Sequence, residues 1–280
     1  MTKRGCSLKD ILIETRKISY TYPNGTTALR DVSLRVHKGE SIALLGENGA
    51  GKTTFAKHLN SLLLPTEGNV FIKGINTEKS NLNFPLIVGY IFQNADDQIS
   101  EKNVFDELHL TDDIVKKSDQ ISRKGLNEIL SILGLLDLIK ENPWNLNRGM
   151  RKFVTTAAIA ANNPDVLIFD EPTIGQDCEG IECLKTLFNY LSSFKKSLII
   201  ISHDMDFCSQ VCKRAAVFKQ GHLLFDGPFR ELIKNSDLLS ESNLELPKLC
   251  KLGKQLGFQK PVLNEDEFFQ ELRSVFPYNN

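Results

Sequence analysis

Short, almost wholly apolar runs punctuate this chain: Ile42-Ala43-Leu44-Leu45, Leu86-Ile87-Val88-Gly89-Tyr90-Ile91-Phe92, Val166-Leu167-Ile168-Phe169 and Ser197-Leu198-Ile199-Ile200-Ile201. Runs of this length read as strands buried on both faces. Other stretches repeat their apolar residues every three or four positions. Leu126, Ile129, Leu130 and Leu133 predict a helix, with Gly134 as its C-terminal cap, and a second amphipathic segment runs from about Arg148 to Ala161. Apolar strands alternating with helices predict a parallel sheet covered on both sides. The first 45 residues read as β, with Ile11-Leu12-Ile13 and Val32-Ser33-Leu34-Arg35-Val36 flanking the turn-forming Pro23-Asn24-Gly25. His37-Lys38-Gly39-Glu40 is a turn, and Val70-Phe71-Ile72-Lys73-Gly74 a further short strand.

Between about 100 and 163 the pattern is helical, as for a subdomain inserted between β-rich parts. After about 230 a tail begins. Leu249, Leu252 and Leu256 form one helical stripe ending at Gly257, and Phe268, Leu272 and Phe276 form another. Such stripes suit either a tail packed on its own domain or a docking module.

Composition narrows the class. The chain has 280 residues, 41% hydrophobic and 25% charged, with net charge −1. This is ordinary for a globular α/β protein and gives no basic field to recruit nucleic acid. No apolar run reaches the roughly 18–20 residues that span a bilayer. Met1-Thr2-Lys3-Arg4-Gly5-Cys6 lacks the apolar segment of a signal peptide, so the expectation is a cytosolic protein or one peripheral to a membrane. The six cysteines form no C-x-x-C pair. Cys208 and Cys212 stand one helical turn apart near His203, but scattered thiols read as small buried apolar groups rather than a metal site.

The chemistry is concentrated at Gly46-Glu47-Asn48-Gly49-Ala50-Gly51-Lys52-Thr53-Thr54, which joins an apolar strand to a helical segment. The spacing G-x-x-x-x-G-K-[ST] is the phosphate-binding loop of nucleoside triphosphatases. Its glycines let the backbone curl so that N–H groups face phosphate oxygens, and the following helix turns its positive end to the same anion. Lys52 reaches the β- and γ-phosphates, and Thr53 offers a hydroxyl to Mg²⁺. Further along, Asp170 and Glu171 end a buried strand. Asp170 suits Mg²⁺, directly or through water, and Glu171 the role of general base toward the attacking water. His203 ends the next buried strand at the same sheet edge, placed to contact the γ-phosphate. Gln93 follows another strand, where a neutral amide coordinates Mg²⁺ or water without adding charge. Tyr22, in the early turn, is a candidate to stack on adenine, although Tyr20 is an equal chemical candidate.

In this order and spacing the residues resemble the nucleotide-binding subunit of ABC transporters. The resemblance covers roughly residues 10–230. Walker A falls on Gly46–Thr54, the Q-loop on Gln93, the signature on Leu146–Met150, Walker B on Val166–Glu171, the D-loop on Gly175-Gln176-Asp177 and the switch histidine on His203. A narrower likeness lies in Tyr90-Ile91-Phe92-Gln93-Asn94-Ala95-Asp96-Asp97-Gln98-Ile99, which is similar to the Q-loop of energy-coupling-factor ATPases. Leu246-Pro247, the leucines after it and Leu256-Gly257 are similar to their C-terminal extension.

The resemblance implies a P-loop NTPase fold: a RecA-like parallel core with an antiparallel β subdomain, a helical signature subdomain and a small C-terminal extension. The ATPase domain would span 10–235, with the helical subdomain inserted at about 95–163 and the extension at 236–280. It implies ATP and Mg²⁺ as ligands, with Thr53, Gln93 and Asp170 at the metal and Lys52, Glu171 and His203 catalytic. It implies a head-to-tail dimer with a second, paralogous ATPase subunit. A membrane coupling protein and a substrate-binding membrane protein would complete an importer of vitamins or transition-metal ions, on the cytoplasmic face of the cell membrane. Nucleic acid is not an expected partner. Other uses of such a cassette are a soluble ATPase on ribosomes or DNA and a weakly hydrolysing regulatory subunit. The single cassette and absence of sustained heptads argue against the first.

One departure stands out. The family's signature reads L-S-G-G-Q and caps the γ-phosphate bound by the other subunit. Here it is Leu146-Asn147-Arg148-Gly149-Met150, followed by Arg151-Lys152-Phe153. Asn147 keeps a donor and a helix-capping side chain, and Gly149 keeps one close backbone approach. Arg148 brings a long cationic side chain to a position where glycine is usual. The expectation is a heterodimer with unequal sites, in which this chain's own pocket is the competent one.

Overall fold

The computed structural model describes residues 10–109 and 122–276. Part of the expected helical stretch, residues 110–121, lies outside them, as does Cys6. Strands β1 (Ile11–Thr21) and β2 (Thr27–His37) form an antiparallel hairpin, and β3 (Ser41–Leu45) leads through the glycine loop into α1 (Lys52–Leu59). β4 (Glu67–Ile72), β5 (Ile75–Asn76) and β6 (Val88–Ile91) follow. The helical part contains α2 (Val104–Leu108), α3 (Arg123–Ile132) and α4 (Arg148–Ala161). Then come β7 (Val166–Asp170), α5 (Cys178–Ser193), β8 (Ser197–Ile201), α6 (Met205–Val211), β9 (Arg214–Lys219) and β10 (His222–Pro228). Four helices close the described chain: α7 (Phe229–Lys234), α8 (Ser236–Glu241), α9 (Lys248–Gln255) and α10 (Glu265–Val275).

Two sheets result. One is antiparallel, in the order β2-β1-β4-β5; the other is ordered β10-β9-β3-β8-β7-β6 and is parallel except for its β10 edge. The apolar runs explain the parallel sheet, because alternate residues feed opposite cores. Ala43, Leu45, Leu167, Phe169, Leu198 and Ile200 join the core beneath α4 and α5. Ile42, Leu44, Val166, Ile168, Ile199 and Ile201 join the core shared with α1 and the antiparallel sheet. The apolar pattern had left β9 and β10 unassigned. β9 pairs with β3 and lengthens the sheet beside the glycine loop.

Gly134 and Gly257 stand at φ 66° and 81°, just past the ends of α3 and α9, as their positions predicted. The leucine stripe of the tail turns out differently. α9 buries Cys250 and Gly253, while Leu252 is 43% exposed. The bare Gly253 lets the Phe258 ring close in, since a Cβ there would come within 2.8 Å of it. The Cys250 thiol donates to the Val262 carbonyl at 2.8 Å. Small side chains therefore face the protein, Leu249 and Leu256 are half-buried, and Leu252 faces outward. On α10, Phe268 is buried and Phe276 exposed. Among the described residues, no helix is long and apolar enough to cross a membrane.

Candidate nucleotide-binding site

Residues 46–51 leave the tip of β3 and turn back into α1. Gly46 and Gly51 adopt φ 138° and 102°, open to glycine at little cost. Space gives a second reason: a Cβ on Gly46 would lie 2.2 Å from the Phe218 carbonyl oxygen, and one on Gly51 would lie 2.6 Å from that of Ala28. Strand β9 and the hairpin thus clamp the loop from two sides. Lys52 folds its ammonium over the loop and donates to the carbonyls of Gly46 (2.7 Å) and Glu47 (2.8 Å). Burial pulls its pKa down, while Glu171, Asp170 and Glu47 oppose that shift.

The parallel register brings β7 within reach of this loop. The Thr53 hydroxyl donates to Asp170 Oδ2 at 3.1 Å, and the Tyr90 hydroxyl donates to the same oxygen at 2.8 Å. Asp170 is 4% exposed. Burial raises its pKa, and the hydrogen bonds from Tyr90 and Thr53 hold part of that rise back. Glu171, also buried, accepts from the Ser202 hydroxyl at 3.3 Å and lies 3.1 Å from His203 Nδ1 through each carboxylate oxygen. Its backbone sits at φ 47°, a strained value for a residue with a side chain.

Lys52, Thr53, Asp170 and Glu171 line one cleft of about 330 Å³, with Tyr22 and Gln93 on the same wall. Asn48, Gly49, Gly51 and Thr54 border it too. The structure separates the two tyrosines. Tyr22 lines the cleft and bonds Thr54 Oγ1 at 2.8 Å, whereas Tyr20 packs edge-on against His58. Gly46 and Glu47 instead border an adjoining cavity toward the tail, where Asn243 donates to the Glu47 carboxylate. Ala50 is buried. His203, expected to contact the γ-phosphate, borders the adjoining cavity, with Nδ1 3.1 Å from the Glu171 carboxylate.

Comparison with known proteins identifies this arrangement. The model of the ABC transporter family matches residues 29–174. The chain belongs to the ABC transporter family. It is an ATP-binding cassette of the ATP-hydrolysing, transport-coupled kind. The cassette is 34% identical over 268 residues to the energy-coupling factor transporter ATP-binding protein EcfA of Methanothermobacter thermautotrophicus, covering 93% of this chain and 86% of that protein. Among solved structures it is similar to cbiO1 from Clostridium perfringens, described as part of the ABC transporter complex cbiONQ, with TM-score 0.69, 26% identity, and 88% and 99% of the two chains covered. It is also similar to the cassette MJ0796, captured as a dimer bound to ADP and Pi, with TM-score 0.68, 26% identity, and 78% and 99% covered. Two other curated relatives are longer, and the cassette spans 46% of their length.

The signature residues of the cassette do not join the cleft. Asn147, Arg148, Gly149 and Met150 line a separate cavity of about 690 Å³ with Gly175 and Gln176. Asn147 and Gly149 do not line the Lys52 pocket of their own chain. Asn147 Oδ1 accepts from Met150 N at 2.8 Å and caps α4. Arg148 lies along Gly175, its Cδ 3.6 Å from where a Cβ on that glycine would stand.

Sequence reasoning gave no role to Tyr90, Ser202, Gln98 or Lys152. Gln98 receives a hydrogen bond from Phe92 N (2.8 Å) and gives one to the Tyr90 carbonyl (2.9 Å), fixing the chain around Gln93. Lys152 is buried beneath the turn after Glu171, and burial with Arg148 nearby lowers its pKa to about 8. Tyr90 was legible only as the third residue of a strand paired with β7.

The donor set fits Mg²⁺. Thr53 Oγ1 and the Asp170 carboxylate are hard oxygen ligands already 3.1 Å apart beside a cationic, amide-rich loop. Gln93 is exposed on the cleft wall, in reach of the same chemistry.

Proposed function

We propose that this chain is the ATP-hydrolysing subunit of an energy-coupling-factor-type importer for vitamins or transition-metal ions. The observation that carries the hydrolytic part is the meeting of Lys52, Thr53, Asp170 and Glu171 in one cleft from two stretches more than a hundred residues apart, the glycine loop and the tip of β7. The 34% identity to an energy-coupling factor ATPase and the Q-loop run Tyr90–Ile99 support the subgroup.

In this reading Tyr22 stacks on the adenine. Lys52 leaves the Gly46 and Glu47 carbonyls for the β- and γ-phosphates, and the loop amides bind the same oxygens. Thr53, Asp170 and Gln93 would hold Mg²⁺, which when bound would neutralise negative charge on the triphosphate. Glu171 accepts a proton from the attacking water as the bond from the γ-phosphorus to the ADP oxygen breaks. His203 holds the Glu171 carboxylate in position through Nδ1 (3.1 Å). The signature of Asn147–Met150 serves the pocket of a second, paralogous ATPase packed head to tail. The pair sits peripherally on the cytoplasmic face of the membrane, against a coupling protein and a substrate-binding membrane protein.

Glu171→Gln tests the chemistry. It should retain ATP binding by fluorescent-nucleotide titration and lose at least 100-fold in turnover; turnover near wild type would remove Glu171 from the base role. Affinity purification from detergent-solubilised membranes tests the context. Recovery of a second ATPase and a hydrophobic coupling protein is expected, and recovery with ribosomes would overturn the transport assignment.

A further inference from the structure

We propose that Lys152 is a positioning residue for hydrolysis, tying the backbone of Glu171 to the first turns of α4. Its side chain is 2% exposed, yet it ends in an ammonium. That ammonium donates to the Glu171 carbonyl at 2.6 Å and to the Ile174 carbonyl at 3.4 Å. Among the described residues it forms no salt bridge; the charged groups around it are Arg148, which repels it, and Asp170 and Glu171, which attract it. Burying an ammonium is costly, and an apolar side chain of similar length would serve packing better. What the ammonium supplies is a charge-assisted hydrogen bond to one turn.

That turn needs holding. Glu171 stands at φ 47° and is followed by Pro172, which has no N–H to give. The Glu171 amide donates to the Ile201 carbonyl at 2.8 Å, fixing one side. On the other side its carbonyl receives only Ile174 N, at 3.3 Å, besides Lys152. A second tie runs parallel: Gln176 Nε2 donates to the Gly149 carbonyl at 3.1 Å, and Gly149 packs so closely that a Cβ would lie 2.8 Å from the Gly175 oxygen. The start of α4 and residues 171–176 therefore form one body. The proposal rests on Glu171 being the base, as above. It adds that the segment facing the partner's pocket and the base of this pocket shift together through Lys152.

The experiment compares Lys152→Met and Lys152→Gln in the full chain, assembled in the membrane complex with which it purifies. Lys152→Met should lower kcat at least 10-fold with KM for ATP within threefold of wild type. Lys152→Gln, which keeps a donor, should recover to within about threefold of wild-type kcat. Wild-type kcat in Lys152→Met, or Lys152→Gln no better than Lys152→Met, overturns the proposal. Amide exchange at Ile174, whose N–H donates to the same carbonyl, reads the turn without hydrolysis. It should quicken at least 10-fold in Lys152→Met and stay near wild type in Lys152→Gln; unchanged protection in both overturns the proposal even if Glu171 proves not to be the base. Wild-type turnover in Glu171→Gln together with the exchange effect would instead sink the base assignment and leave the tie standing.

Discussion

Asp170 concentrates the conflict between stability and function in one side chain. Its carboxylate is buried and receives two hydroxyl donors, and burial still wins, raising its pKa. An acid whose folded pKa exceeds its unfolded value binds protons more readily when folded. Its contribution to stability is therefore greatest below pH 3.8 and is lost as pH rises through the folded value. At neutral pH the ionised group is a net cost, offset in part by the Tyr90 and Thr53 hydroxyls and the Lys57 charge. Asp170→Asn should raise the Tm of the nucleotide-free chain at pH 7 by about 2 °C, corresponding to about 1 kcal/mol. The gap should close as pH falls toward 4, and added Mg-ATP should no longer stabilise the variant. Differential scanning calorimetry across that range checks all three statements, and a lower Tm at pH 7 would contradict them.

Helix α4 shows how one element serves two purposes. Its start is fixed by Asn147, whose side chain accepts from Met150 N, and its length buries Phe153, Val154, Ala157 and Ala160 in the core under the parallel sheet. The cap leaves the Asn147 amide nitrogen as the remaining donor for a phosphate from elsewhere. Replacing it by alanine removes the cap and should cost about 1 kcal/mol. Asn147→Asp, which keeps the acceptor, should retain most of that stability. Urea midpoints of the two variants measure the difference; equal midpoints would mean the cap contributes nothing.

At the scale of the molecule, the glycine-loop cleft and the residues read as the signature line two separate cavities. The cleft holds Lys52, Asp170 and Glu171, while Asn147–Met150 line another cavity with Gly175 and Gln176. On the proposed head-to-tail pairing a site with both parts would take two chains; MJ0796, which has the same fold, is seen as a dimer. Two copies of this chain would place Arg148 near both nucleotides. On the proposed pairing with a paralogue, this chain's pocket would receive an intact signature and the other would receive Arg148. The purified chain alone should then hydrolyse ATP at least 10-fold more slowly than the complex. Equal, cooperative rates from the chain alone would falsify the unequal-site arrangement.

Much of the architecture was legible from residues close together in sequence. Ile42–Leu45, Val166–Phe169 and Ile199–Ile201 announce doubly buried strands because a strand alternates its faces at every residue, so only a central one is apolar throughout. Gly46, Gly51, Lys52 and Thr53 announce the phosphate loop through the G-x-x-x-x-G-K-[ST] spacing alone. Such constraints are local and survive in the order of residues. What tertiary structure alone decided is which distant groups share an atom. Tyr90 meets Asp170 across 80 positions through the register of β6 and β7; Tyr22 rather than Tyr20 faces the cleft; His203 pairs with Glu171; Lys152 reaches under the same turn; and α9 turns Cys250 and Gly253 inward while Leu252 faces outward. Each depends on how sheets and helices stack, a balance of contacts from the whole core that no short window of sequence carries.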